Sequence, residues 1–403
     1  MSESKDEEKC HWSPKGPSQH EFNRYHRRRW KVKSKPTHRN SSNTFNHGTR
    51  QKRDRTPNSK GKWVIKSKPK SPSNIDTARE YNRSSATILY CGPDAKCTSD
   101  IVQIKRNGVI PLQPKDCIRI IAMGCTHELH RHVYIPKGDL LIHAGDVCNW
   151  RRYSHSQKVF ASPLSIWNDM VNLLVEHRMK SPGHFRFGMA VIAGNHDLFA
   201  QHNTDQIRSM LQQNDIRFLV NDCHSIDIAD DRSLRIFGSP VSWYRNKPSC
   251  AYQLHRKQHS DLWRRDGRDS RWKQWDNEFI DRHFPQFPVD IVVTHGPPAG
   301  YGDCEEVGRC TGSYALLRYI HKNRPKLFIC CDYHGGGGAN DSHGYGIHFL
   351  RFNGSSENMK DCCIVMNVAI AHQPARLMRE GNMCRGVTIV DAKIDDFTKC
   401  NKT

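Results

Sequence analysis

The chain has 403 residues, of which 36% are hydrophobic, and a formal net charge of +21. That length accommodates two or three domains, or one large domain with appendages, and the polarity excludes a chain packed throughout. The longest nearly apolar run, Cys362 to Ala371, is too short to cross a bilayer, so no membrane-spanning role is expected.

Charge is concentrated at the start, where residues 1–80 hold 21 Lys and Arg against 8 Asp and Glu. Residues 1–85 are rich in Ser, Pro, Asn, Lys and Arg and have few apolar residues. Such a segment cannot offset its ordering entropy by burial, so a disordered basic tail is predicted. Its clusters Arg27-Arg28-Arg29 and Arg50 to Arg55 have two readings. One is nuclear import or non-specific contact with nucleic acid, and the other is a solvated tail. Met1 to Cys10 contains no apolar core for a secretory signal. The expectation is therefore a cytoplasmic chain, with the nucleus as second location, and reduced thiols. Sixteen cysteines include no C-x-x-C, which argues against a zinc ribbon. Cys330–Cys331 and Cys362–Cys363 lie in apolar runs and read as buried core thiols.

From Thr87 short apolar runs appear in series. Residues 86–114 are expected to lead into a domain spanning 115–392, with 393–403 as a C-terminal tail. Buried strands are predicted at Ile118–Met123, Leu140–Ile142, Met189–Ala193, Leu234–Phe237, Asp290–Val293, Leu327–Cys330, Cys363–Val368 and Val387–Val390. Leu164, Trp167, Met170, Val171 and Leu174 recur at helical spacing, as do Ile207, Met210 and Leu211 behind Thr204, a candidate N-cap. Alternating strands and helices predict a sheet-centred α/β domain with helices covering its faces.

Five of these strands run directly into polar clusters. They are Gly124-Cys125-Thr126-His127, His143-Ala144-Gly145-Asp146, Gly194-Asn195-His196-Asp197, Thr294-His295-Gly296-Pro297-Pro298 and Cys331-Asp332-Tyr333-His334. In open α/β sheets ligands gather beyond the carboxyl ends of strands, where such loops converge. Imidazoles, a carboxylate and an amide oxygen suit two divalent cations drawn from Mn, Fe, Zn or Mg.

The order GD, GNHD, THGPP and a late His resembles the calcineurin-like metallophosphoesterases. The strings Gly138 to Asp146, Ala193 to Asp197, Thr294 to Pro298, Ile236 to Pro240 and Arg324 to Leu327 resemble their metallophosphoesterase-domain-containing branch. The resemblance covers about residues 115–392. It implies a layered α/β sandwich of two mixed β-sheets flanked by helices, with the metals at one edge. It also implies that Asp146 bridges both metals, His127 and His334 bind the first, and Asn195 and His295 bind the second. His196 would touch the substrate phosphate and help protonate the leaving group, with Asp197 orienting it by a hydrogen bond.

Two positions depart from the family pattern. Cys125 stands where the opening motif has Asp, and Asp332 stands where the late motif has His. Cys125 has two readings, a thiolate ligand for a softer ion or a small buried thiol beside a weakened first site. Asp332 remains a legitimate ligand. His143 reads as a packed structural residue, and His130 and His132 as solvated loop residues. Gly335 to Gly338 reads as a connection into a loop over 339–361, and Trp263 to Trp275 as a surface helix with snorkelling Arg stems. The function expected is hydrolysis of a phosphodiester, such as a cyclic or other small nucleotide, by metal-activated water. The alternative is a degenerate scaffold that binds nucleotide or a protein partner with little catalysis.

Overall fold

The computed structural model describes residues 87–105, 108–149, 162–242, 250–253, 271–303, 312–334, 346–352, 361–370 and 385–399. The expectations for the basic tail, for Gly335 to Gly338 and for most of Trp263 to Trp275 lie outside these residues.

Thirteen strands are described: β1 Thr87–Cys91, β2 Val102–Ile104, β3 Cys117–Met123, β4 Leu140–His143, β5 Met189–Val191, β6 Ile216–Phe218, β7 Asp222–Ala229, β8 Arg232–Ser239, β9 Ile291–Thr294, β10 Leu327–Cys330, β11 Gly346–Arg351, β12 Cys362–Asn367 and β13 Arg385–Lys393. The helices are α1 Pro163–Lys180, α2 Leu198–His202, α3 Thr204–Gln212, α4 Arg271–His283 and α5 Tyr314–Asn323. The strands form two mixed sheets, ordered β2-β1-β13-β3-β4-β5-β6 and β11-β12-β10-β9-β8-β7. In the first, β3, β4, β5 and β6 run parallel, and in the second β8, β9, β10 and β12 do.

The period-2 alternation of each strand assigns its two faces. Ile118, Ile120 and Ala122 of β3 pack between the sheets with Leu234, Ile236, Ile291, Val293 and Ile329 of the second. The intervening Ile121 and Met123 face the other way, with Leu141 and Val191, against Trp167, Met170 and Leu174 of α1. On the far side Phe237, Val292 and Phe328 meet Ile280 of α4, Phe284 just beyond it, and Leu316 and Ile320 of α5. Both faces of the central strands are thus covered, which is why β3, β4, β9 and β10 are apolar without a polar face. The expected sandwich of two mixed sheets with helices outside is the observed one. Each of the eight strands read from the sequence is present.

Several local expectations are corrected. Residues 86–114 do more than lead in: β1 pairs in parallel with β13 and β2 adds an antiparallel edge. The expected tail returns to the second sheet, where the amide and hydroxyl of Thr398 both donate to Asp290 Oδ1 at 3.2 and 2.9 Å. The N-cap of α3 is Asn203; Thr204 is the first helical residue and its hydroxyl donates to the Ala200 carbonyl at 3.0 Å. In addition, β11 occupies part of the loop expected over 339–361. The solvated reading fails for His130, which is 2% exposed and meets Asp169 of α1 at 3.0 Å. His132 is exposed. Among the described residues no helix is long and apolar enough to cross a membrane.

Arg119 of β3 and Asp391 of β13 stand directly opposite in the antiparallel register. Nε and Nη2 donate to the two carboxylate oxygens at 2.8 and 2.6 Å, and Tyr90 Oη donates to Oδ2 at 3.0 Å. The pair clamps β1, β13 and β3, the last of which runs into the first polar loop. Removing one partner of a buried ion pair leaves the other uncompensated, at a cost of about 3–5 kcal/mol. Asp391→Ala is expected to lose that much in urea unfolding, and Arg119→Leu with Asp391→Leu to recover most of it. A loss under about 1 kcal/mol in the single variant would show that the pair is not a clamp.

Candidate metal centre

Five loops meet at one edge of the sandwich, three from the first sheet and two from the second. Those after β3 and β4 are zipped together by backbone bonds, from Cys125 N to Gly145 O at 2.8 Å, His127 N to Asp146 O at 2.9 Å and Glu128 N to Val147 O at 2.8 Å. The sheets are tied at the same edge, where Gly124 N donates to Val368 O and Ile370 N to Gly124 O. This zipper requires unusual backbone. Cys125, His127, Glu128, Asp146 and Asp332 have φ of 49°, 44°, 72°, 58° and 67°. Left-handed conformations are unfavourable for residues with a Cβ and gather at functional sites when the surroundings over-determine them.

Asp146 lies at the centre, 1% exposed. Its Oδ1 accepts the His196 amide at 2.8 Å and lies 3.3 Å from His295 Nε2. Its Oδ2 lies 3.6 Å from His127 Nε2 and 4.0 Å from both Cys125 Sγ and His196 Nε2. The two oxygens therefore address two different groups. On the Oδ2 side, His127 Nε2 is 3.4 Å from His334 Nε2, and the ligand atoms of Cys125, His127 and His334 lie within 4.8 Å of one another. On the Oδ1 side, His295 Nε2 is 3.7 Å from Asp332 Oδ1. Gly194 is needed between them, since a Cβ there would overlap Asp146 Oδ1 and His295.

The outer contacts prepare the imidazoles. His127 Nδ1 bonds the Cys148 carbonyl at 3.2 Å and His295 Nδ1 the Ala144 carbonyl at 2.9 Å. A ring whose Nδ1–H is donated to a carbonyl turns the Nε2 lone pair toward the centre, as metal-binding histidines do. Asn195 is 1% exposed and neither atom of its side-chain amide has a hydrogen-bond partner among the described residues. Buried amides are rarely left so. This orphan amide, the inward Nε2 atoms and the shared carboxylate fit a pair of divalent cations.

Electrostatics agree with the geometry. Burial opposes ionisation of Asp146, but His295, His196 and His127 outweigh it and hold the carboxyl well below its usual range. Burial likewise opposes a charge on His295, yet Asp146 and Asp332 raise its pKa well above the usual imidazole value. The acidic centre thus draws a proton to where positive charge is favoured. Burial lowers the pKa of His127, which leaves it neutral and able to ligate.

The role expected for Asp197 is corrected. Its carboxylate accepts three backbone amides, Gly194 N at 2.8 Å, Cys148 N at 2.9 Å and Val147 N at 3.2 Å. It therefore splices the loop carrying Asn195 and His196 to the loop carrying Asp146, and acts on His196 through the backbone. Burial, then Asp146, raises its pKa to about 7, with the amides pulling the other way. His196 projects to the rim, 16% exposed, with its ring centroid 4.6 Å from that of His127. His143 is a packed residue as expected: Gly145 N donates to its Nδ1 at 3.2 Å, its Nε2 meets Thr126 Oγ1 at 3.1 Å, and burial lowers its pKa to about 3.

Cys330, Cys331, Cys362 and Cys363 are buried free thiols, as read. One of them also belongs to the centre, which the sequence reading missed. Cys331 Sγ lies 3.1 Å from His295 Nδ1 and 2.8 Å from the Ala144 carbonyl, behind the inward face of His295. Its position directly after β10, ahead of Asp332, was the signal available.

Comparison with known proteins places this arrangement. Residues 98–336 match the family model of the calcineurin-like phosphoesterases. A probable rhamnogalacturonate lyase C of Emericella nidulans is 26% identical over 225 residues, 55% of this chain but only 17% of the relative's length. A UPF0046 protein of Caenorhabditis elegans is 24% identical over 254 residues, 61% of this chain and 72% of its own. Among solved structures, phosphopantetheinyl hydrolase from Mycobacterium tuberculosis aligns at a TM-score of 0.35 and 11% identity, over 72% of this chain and 98% of that one.

Because Asp197 holds two ligand-bearing loops in register, Asp197→Asn is expected to weaken divalent-cation affinity about 10–100-fold without removing a ligand. Calorimetric titration with Mn²⁺ measures this, and an unchanged affinity would show that the splice does not position the ligands.

Proposed function

We propose that this chain, which belongs to the calcineurin-like phosphoesterases, hydrolyses a phosphodiester, with a cyclic or other small nucleotide as the substrate class. The observation that carries the reading is the division of Asp146 between two groups of donors. Cys125, His127 and His334 with Oδ2 would hold one divalent ion, and Asn195, His295 and Asp332 with Oδ1 the other. Two such ions, when bound, neutralise a phosphoryl group and lower the pKa of a water.

The remaining work belongs to side chains of this chain. His196 is the one imidazole of the set that reaches solvent with its amide fixed on Asp146. From the rim it meets the phosphate and carries a proton to the leaving oxygen, a task within the reach of general acids. His127 and His295 are fully buried and anchored by their Nδ1 atoms, so neither can swing to that role. Asp332 in place of an imidazole keeps a donor atom at the second group and adds negative charge there.

The full chain, stripped with chelator and resupplied with Mn²⁺, Zn²⁺ or Mg²⁺, is expected to hydrolyse a chromogenic phosphodiester. Asp146→Asn should abolish turnover. His196→Ala should lower kcat by about 10²–10⁴-fold while leaving the number of bound metal ions unchanged. Absence of turnover with every metal, in a protein shown to be folded, would favour the binding scaffold. Full activity of either variant would sink the mechanism.

A further inference from the structure

We propose that the two halves of this centre select different metals: a thiolate-bearing half, Cys125, His127, His334 and Asp146 Oδ2, takes zinc, while the other half, Asp146 Oδ1, Asn195, His295 and Asp332, takes a hard ion such as Mn²⁺ or Mg²⁺. This rests on the phosphoesterase reading of the same site and specifies its ions.

The donors differ across Asp146. Cys125 is fully buried at the end of β3, and its left-handed backbone, with φ of 49°, places Sγ on the same side as the imidazoles. Sγ, the His127 nitrogen and the His334 nitrogen lie within 4.8 Å of one another, and Asp146 Oδ2 is 4.0 Å from the sulfur and 3.6 Å from His127 Nε2. One sulfur, two imidazole nitrogens and one carboxylate oxygen make four ligands. Those are donor types zinc takes, with Zn–S of about 2.3 Å and Zn–N of about 2.0 Å, and at catalytic centres zinc can expand to a fifth ligand.

A second feature points to a ligating sulfur rather than a filler thiol. The Asp332 amide donates to Cys125 Sγ at 3.2 Å. The sulfur, which also faces Asp146 Oδ2, therefore accepts an N–H as a metal-bound sulfur does, and this contact holds it in place beside the imidazoles. Across Asp146 the donors are two carboxylates, an amide oxygen and one imidazole, which suit Mn²⁺ or Mg²⁺ and give zinc no thiolate. Binding of the first ion releases the thiol proton to solvent.

Cys331 offers a rival arrangement, since Cys125, Cys331 and His295 also bring their ligand atoms within 4.8 Å of one another. His295 would join it through Nδ1, which is 3.1 Å from the Cys331 sulfur and already bonded to the Ala144 carbonyl. That use would turn Nε2 out of service for the Asp146 group. The anchoring of Nδ1 favours Cys331 as a neighbour of His295 and Cys125 as the ligand.

The test titrates the chelator-stripped, reduced full chain with Co²⁺ and follows the near-ultraviolet sulfur-to-cobalt charge-transfer band. Expected are two bound cobalt ions and a band that grows over one equivalent. One equivalent of Zn²⁺ should abolish the band, and excess Mn²⁺ should leave it in place. Cys125→Asp should bind two ions without the band, and Cys331→Ser should keep it at full intensity. Two bound ions with no band in the unmodified chain would overturn the proposal and leave the two-metal phosphoesterase standing. A band lost in Cys331→Ser and kept in Cys125→Asp would overturn it in favour of the rival cluster. No cobalt bound at all, with native circular dichroism, would overturn both readings together.

Discussion

Everything at this site depends on one buried carboxylate whose main counter-charges among the described residues are imidazoles. Asp146 is surrounded by His127, His196 and His295, and imidazoles balance a carboxylate only by taking protons or by sharing cations with it. An ionised group removed from water is costly unless paired. The fold offsets that cost with the His196 amide, the nearby imidazoles and a geometry open to divalent charge.

Holding that carboxylate in place requires a backbone that local preference opposes. Five residues bearing a Cβ adopt left-handed φ around the centre, four of them candidate ligands. The strain is sustained by the zipper between the loops after β3 and β4, by the three amides on Asp197 and by the Asp332 amide on Cys125. These restraints come from strands buried on both faces, so the stability of the sandwich holds the ligands. The Arg119–Asp391 clamp is part of that supply, since it secures β3 to β13 near the start of the strand that ends in the first loop.

The departures from the family pattern then acquire a physical meaning. Cys125 replaces a hard donor on one side of Asp146, and Asp332 replaces an imidazole on the other. The changes move the two halves in opposite directions, one toward soft donors and one toward hard. A centre altered at both positions keeps candidate donor atoms in both halves.

Much of this was legible in order along the chain. Largely apolar runs of three to six residues leading into clusters of Gly, His, Asp or Asn mark β3, β4, β5, β9 and β10 and the candidate ligands beyond them, because a strand covered on both faces needs such a run and a ligand must sit where it stops. The strand β1 and the edge strand β2 escape a sequence reading because β1 takes its partner from β13, almost 300 residues away, and β2 pairs in turn with β1. His130 was misread because its burial depends on α1 packing across the loop.

By itself, then, the sequence determined which side chains are available and the strand ends at which they emerge. Those follow from hydrophobic periodicity and residue chemistry, which are local. Only the tertiary structure decided that Asp146 divides its oxygens between two groups, that Asp197 serves the backbone and not the His196 ring, and that the thiol of Cys331 stands behind His295. These depend on loops from two sheets meeting at one edge. Their separations are set by how the sheets pack, which no single stretch of chain encodes.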